Sequence, residues 1–152
     1  MTFGTGVLDI TPVGVFRRAA DFLELAKPRV VLMVLVTAFV GFYLGSEAVP
    51  DYLSLLQMVF GTALAAGGTL ALNQFFERKT DAMMQRTRHR PLPDGRIQPG
   101  EAFRFGLFAT IAGLSYLALS VNVLSALVTG LITASYLFVY TPMKRKSSLC
   151  ML

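Results

Sequence analysis

All fourteen lysines and arginines of this 152-residue chain fall in three segments, and the segments are separated by apolar runs long enough to cross a bilayer. Arg17, Arg18, Lys27 and Arg29 precede the first run. Arg78, Lys79, Arg86, Arg88, Arg90, Arg96 and Arg104 lie between the second and third, and Lys144, Arg145 and Lys146 follow the fourth. A hydrocarbon core needs about 20 residues of helix, which places spans near residues 30–45, 52–76, 103–119 and 123–140. The links on the opposite side, 46–51 and 120–122, carry only Glu47 and Asp51 as charges. Positive side chains are retained on the cytoplasmic side of short loops. Both termini and the 77–102 loop are therefore expected in the cytoplasm, with the bacterial inner membrane or its equivalent as the location.

Charged residues make up 15% of the chain and the mean hydropathy is +0.58, against about 25% charged in soluble domains. Only helices and closed barrels satisfy their backbone in lipid, and nothing here alternates with the period of a membrane strand. The expected fold is all-α, a polytopic helical bundle with four transmembrane helices. Sidedness accounts for the net charge of +5, and basic residues split among three membrane-tethered segments leave no footprint for nucleic acid. Cys150 has no second cysteine to pair with. No cleavable signal peptide is expected, because no apolar core follows a basic start.

Residues 1–27 read as a cytoplasmic segment and 28–152 as the membrane domain. Residues 1–13 show no helical period and are expected to be poorly ordered. Between Val15 and Ala26, Phe16, Ala19, Ala20, Leu23 and Ala26 recur at helical spacing among Arg17, Arg18, Asp21 and Glu24, which predicts a short helix at the membrane surface. Lys27-Pro28-Arg29 marks a corner. Small residues four apart (Gly41 and Gly45, Gly61 and Ala65, Gly67 and Ala71, Ala109 and Gly113) allow close helix packing in lipid. Gly67-Gly68 is read as packing, with a bend that opens a cavity as the alternative. Pro91, Pro93 and Asp94-Gly95 predict a turn, and Gln98-Pro99-Gly100-Glu101 a helix start with a weak cap. The short 120–122 link makes the third and fourth spans an antiparallel pair.

Asn73, Glu77 and Asp81 lie four apart where the second apolar run gives way to arginines. If the helix continues, each step turns about 400°, so the three side chains stay within roughly 80° of one stripe, about 6 Å apart along the axis. The plain reading is a helix end with solvated charges. Against it, carboxylates are disfavoured near a helix C-terminus, and ionisable groups at membrane depth are costly unless they do something. Hard oxygen ligands at this spacing suit Mg²⁺, which keeps some waters and shares positions with substrate phosphates. The arginines beyond suit diphosphate oxygens.

The run Asn73, Glu77, Asp81-Ala82, Met84, Arg86-Thr87, Arg90-Pro91-Leu92-Pro93, Gly95-Arg96 resembles the first aspartate-rich motif of the UbiA-type intramembrane prenyltransferases, in the form carried by the haem O synthase (protohaem IX farnesyltransferase) branch. Glu24-Leu25-Ala26-Lys27-Pro28-Arg29 and Tyr140-Thr141-Pro142-Met143-Lys144-Arg145 reinforce the resemblance, which extends from Asp21 to Leu149. It implies transfer of a farnesyl group from farnesyl diphosphate to a vinyl group of haem B, with Mg²⁺ as cofactor, in the lipid bilayer, with terminal oxidase assembly factors as candidate partners. By the same resemblance Asn73, Glu77 and Asp81 hold the metal, and Arg86, Arg90, Lys144 and Arg145 meet the diphosphate. Tyr140 and Lys144 take catalytic roles at the developing cation and the leaving group.

Competing readings stand beside these. Arg88 and Arg96 read as sidedness charges, Lys144-Arg145-Lys146 equally as an anionic-lipid anchor, and His89 as solvated rather than a haem ligand. Met83 and Met84 read as packing residues. Glu77 stands where most of the wider superfamily has aspartate, and its longer side chain still reaches a cation. The family fold has nine helices and a second aspartate-rich motif. A chain ending at Leu152, just past its fourth span, is expected to be the front half of that fold, a fragment that does not turn over alone. A prenyltransferase with an aromatic acceptor and a non-catalytic four-helix membrane scaffold are the alternatives.

Overall fold

The computed structural model describes residues 12–47 and 49–146, without the side chains of Pro12, Val13, Lys144, Arg145 and Lys146. Of residues 1–13, for which poor order was expected, 1–11 lie outside the described residues, as does Cys150, whereas Pro12 and Val13 already belong to the first helix. The helices are α1 (Pro12–Leu25), α2 (Pro28–Gly45), α3 (Tyr52–Met83), α4 (Pro99–Ser120), α5 (Val123–Ser135) and α6 (Thr141–Lys146), with a π-helical turn (Tyr136–Tyr140) joining the last two. Four stretches are long and apolar enough to cross a membrane: α2, α3, α4 and the run Val123–Met143. The described residues therefore form the all-α bundle that the apolar runs dictate.

The second span is the longest element. Asp51 caps it, accepting the Leu53 N–H at 3.1 Å and the Ser54 hydroxyl at 2.6 Å. These bonds, the Ser54 hydroxyl foremost, hold the Asp51 carboxyl below the usual carboxylate range. From there α3 runs for 32 residues, about 48 Å, well beyond a hydrocarbon core of about 30 Å. Asn73 comes roughly 30 Å along it, so the polar stripe begins where a bilayer would end.

The α3–α4 pair is the tightest contact, and glycines set its spacing. A Cβ added at Gly68 would lie 2.5 Å from the Thr110 amide nitrogen and 2.7 Å from the Gly106 carbonyl; at Gly113 it would lie 2.5 Å from the Ala65 amide nitrogen. The two backbones touch, as small residues in lipid permit. Gly61, Ala65 and Gly113 thus serve this seam, and Ala109 is buried on α4. Gly67 instead faces the Ala26 methyl, and Gly41 and Gly45 meet nothing within 4 Å among the described residues. The Gly67-Gly68 pair packs, and α3 remains helical through it.

At the motif end, Lys27 turns the chain between α1 and α2 with φ 51°, in the left-handed region, a conformation that costs a non-glycine residue about 1 kcal/mol or more. Contacts on both sides hold that corner. The Gln74 amide donates to the Leu25 carbonyl at 2.8 Å, Arg18 pairs with Glu101 at 3.1 Å, and Leu25 packs with Ala71, Leu92, Ile97 and Ala102, flanked by Phe22 and Phe75. Residues 84–98 are consequently a packed cover over the ends of α1, α3 and α4, with Pro91, Leu92 and Ile97 buried. Its turns are closed by backbone bonds such as Asp94 N–H to Arg90 and Ile97 N–H to Pro91, and Gly95 supplies the positive φ of 79° that the Asp94-Gly95 turn requires. Pro99 opens α4, and the Glu101 carboxylate reaches back to the Gln98 N–H at 3.4 Å. Asn122 caps α5 through the Leu124 N–H, which fixes α4 and α5 as an antiparallel hairpin.

Candidate functional site

Because α3 stays helical to Met83, Asn73, Glu77 and Asp81 do share one stripe, and all three are buried, at 2%, 6% and 5% relative exposure. A solvated helix end is therefore excluded. Each side chain is held from a different direction. The Asn73 amide nitrogen donates to Glu77 Oε2 at 3.2 Å, while Asn73 Oδ1 lies 2.9 Å from the Thr141 hydroxyl across the bundle. Arg90 pairs with Asp81 Oδ2 at 2.7 Å, its guanidinium partly open to solvent. The buried Thr87 hydroxyl donates to the Asp81 carbonyl at 2.9 Å, pinning the loop to the last turn of α3.

Two carboxylates and one amide share this buried stripe, and among the described residues no group of three or more His, Cys, Asp or Glu side chains gathers. Such a set leaves coordination positions open. It fits a hard dication that retains waters and takes phosphate oxygens, as Mg²⁺ does, and does not fit a closed, all-protein cage.

Of the other residues singled out by sequence, Arg86 is exposed. Tyr140 is half exposed and stacks on Tyr136 with ring centroids 5.2 Å apart. Lys144 and Arg145 have side chains outside the described ones, although their backbone continues α6 from Thr141. His89 is exposed, with its Nε2 accepting from Arg88 at 3.2 Å. Arg96 does more than mark sidedness: its guanidinium contacts Asp21, Glu24 and Asp94 and donates to the His89 carbonyl, bracing α1 against the loop. Burial opposes its charge, but Glu24 and Asp21 outweigh that and raise its pKa.

The sequence reading quoted Thr87 and Thr141 only as members of motifs, without a role, and passed over Gln74 and Tyr136. The available signal for Thr141 was Pro142 inside a helical run, since proline removes the N–H that would bond to the carbonyl four residues back and crowds that carbonyl. The π-helical turn lies directly before it, and such turns are frequent at functional sites.

Below the stripe, a cavity of about 690 Å³ opens between α2, α3 and α5. Val34, Ala66, Leu70, Val128 and Ile132 line its walls, and Thr69, Thr133 and Tyr136 lie at the end nearest Asn73 and Thr141. Its size and apolar lining match a pocket for a small hydrophobic ligand, with the charged groups just beyond. A second hollow, near Leu53, Phe60 and Tyr116, sits at the opposite end of α3, away from these charges.

Comparison with known proteins gives the family of the chain. The chain is 43% identical over 136 residues to "Protoheme IX farnesyltransferase" of Solibacter usitatus, covering 84% of this chain and 47% of the relative. It is 46% identical over 128 residues to the protein of the same name from Opitutus terrae, covering 84% and 43%, and 46% identical over 125 residues to that from Salinibacter ruber, covering 82% and 44%. The chain thus spans a little under half the length of these relatives. No solved structure matches it. The pattern of the UbiA prenyltransferase family matches residues 34–152, from the first span through the buried stripe to the end, and the chain belongs to that family.

Proposed function

We propose that the protein carrying this chain transfers a farnesyl group from farnesyl diphosphate to a vinyl group of haem B, forming haem O. The observation that carries this reading is the buried stripe of Asn73, Glu77 and Asp81, met by Arg90 and beginning one helical turn along α3 from Thr69 in the lining of an apolar cavity. Relatives named for this reaction supply the substrate pair. The site is that of an integral membrane protein, and the grouping of all its cations supports a cytoplasmic stripe and cytoplasmic termini in a bacterial inner membrane.

The reaction breaks an allylic carbon–oxygen bond. The electron pair leaves on the diphosphate, the vinyl π pair closes the new carbon–carbon bond, and the cation this leaves on the vinyl carbon beside the porphyrin is captured by a water molecule, which gives up a proton. Asn73, Glu77 and Asp81 would hold Mg²⁺, which would supply charge to neutralise the departing diphosphate. Arg90, free to swing because it is partly solvated, meets the phosphate oxygens with its planar fork, and Arg86, Lys144 and Arg145 add charge around them. Tyr136 and Tyr140 present a stacked aromatic pair at the head of the cavity, where a ring face stabilises a developing cation. The apolar walls take the isoprenoid and exclude water that would quench the cation.

The test is binding of farnesyl diphosphate to the chain in lipid nanodiscs with and without Mg²⁺, followed by competition with haem B and with an aromatic acid. Mg²⁺-dependent binding that Glu77→Gln and Asp81→Asn each weaken at least tenfold, together with coupling to haem B, is the expected result. Binding that ignores Mg²⁺ and both substitutions refutes the reading, as a scaffold would behave in this way.

A further inference from the structure

The fourth span reaches the stripe through a hydrogen bond from Thr141, which is buried at 3% exposure. Its hydroxyl lies 2.9 Å from Asn73 Oδ1 and 3.0 Å from the Tyr136 carbonyl oxygen, so two acceptors share its one proton. One helical turn earlier on α3, Thr69 and Thr133 hydroxyls meet at 3.2 Å, and the two contacts join α3 to the α5–α6 run along one seam.

The π-helical turn makes this seam continuous. In a regular helix, the eight residues from Thr133 to Thr141 turn 800°, leaving Thr141 about 80° away from the Thr133 face. One extra residue absorbed in the wide turn sets the phase back by about 100°, so the two threonines come within about 20° of each other. The Thr141 N–H bonds to the Tyr136 carbonyl, five residues back, which is the bond that records the extra residue.

At the far end, the Asn73 amide faces two different partners. The Glu77 carboxylate only accepts, so it takes the amide N–H end. The carbonyl end is then left toward Thr141, which donates. An amide is nearly symmetric in shape, and its partners alone decide which end points where.

Resting on the metal reading given above, we propose that Thr141, placed by the π-helical turn, is a positioning residue: it fixes the orientation of the Asn73 amide and, through it, of Glu77 in the cation site. Its hydroxyl occupies one lone pair of Oδ1 and leaves the second for the cation. Outer partners of this kind change metal affinity by about 10–100-fold when removed.

The test is Mn²⁺ titration, read by electron paramagnetic resonance, of the whole chain in nanodiscs. Thr141→Val keeps the shape of the side chain and removes the donor; about tenfold weaker Mn²⁺ binding is expected, at an unfolding midpoint close to that of the unsubstituted chain. Thr141→Ser, which restores the hydroxyl, brings affinity back to within about twofold. Should valine prevent folding, Thr141→Ala removes the hydroxyl without added bulk and carries the same expectation. A chain that binds Mn²⁺ equally well with valine or alanine overturns the inference alone. A failure of serine to rescue overturns it too, since packing rather than the hydroxyl then matters. An unsubstituted chain that binds no Mn²⁺ overturns the metal reading and this inference together.

Discussion

Replacing Gly68 by alanine adds one methyl to the α3–α4 seam, and replacing Gly41 adds the same methyl to α2, yet the two changes have opposite expected signs. At Gly68 the new Cβ would stand 2.5 Å from the Thr110 amide nitrogen and 2.7 Å from the Gly106 carbonyl oxygen. Ordinary contact begins at 3.4 Å, so the helices must part by nearly 1 Å. The blocking atoms are mainly helix backbone, which cannot swing aside as a side chain does. Overpacking of this kind costs about 1–3 kcal/mol, and parting the helices also loosens Ala65 against Gly113. At Gly41 nothing lies within 4 Å among the described residues, and alanine in a helix interior is favoured over glycine by about 0.5–1 kcal/mol. Gly68 is also inside a helix and gains the same preference, so the two variants should differ in stability by the overpacking alone, about 1–3 kcal/mol. Equilibrium unfolding in mixed micelles, followed by far-ultraviolet circular dichroism, measures the difference directly. If Gly68→Ala matches the unsubstituted chain, or if Gly41→Ala is destabilised to the same extent, backbone contact at the seam is refuted.

Further predictions concern charge. Arg90→Gln removes the only cation seen against Asp81 among the described residues; farnesyl diphosphate affinity should fall at least tenfold, while Mn²⁺ affinity without diphosphate holds or tightens, because a competitor for the carboxylate is gone. Calorimetry with each ligand separates the two, and parallel losses of both would refute the exchange. The stability penalty of Arg90→Gln should stay below the about 3–5 kcal/mol of a fully buried broken pair, because Arg90 is partly solvated. Asp51 has a folded pKa held below its unfolded value by Ser54 and Leu53. Its contribution is thus present above the unfolded pKa and lost as pH falls through the folded one. Ser54→Ala should shrink that acid-side loss and raise the Asp51 pKa in a carboxyl ¹³C titration, and an unchanged titration would contradict the cap.

The bundle and the stripe were legible because both follow from periodicity: apolar runs of membrane length give α2, α3, α4 and Val123–Met143, and four-residue spacing puts Asn73, Glu77 and Asp81 on one face. The ion pair of Arg90 with Asp81 was harder to foresee. It depends on how residues 84–98 fold back, and that path is set by tertiary burial of Leu92 and Ile97 rather than by local propensity. Arg96 looked like a sidedness charge because its partners, Asp21 and Glu24, are more than seventy residues away. Thr141 was hidden for another reason. Counting in steps of 3.6 places it off the face it occupies, and only the inserted residue of the π-helical turn, itself invited by Pro142, returns it to Asn73. Tyr140 drew attention as the aromatic at the end of the span, whereas the ring nearer the cavity is Tyr136.

The most direct measurement is anomalous scattering from crystals of the chain grown in lipid with Mn²⁺ and farnesyl diphosphate. The expected result is a Mn²⁺ peak about 2–2.5 Å from oxygens of Asn73, Glu77 and Asp81, with Arg90 moved from Asp81 to a phosphate oxygen and the isoprenoid lying between Thr69 and Val128. Diphosphate bound elsewhere, or an undisturbed Arg90–Asp81 pair with no metal on the stripe, would contradict it.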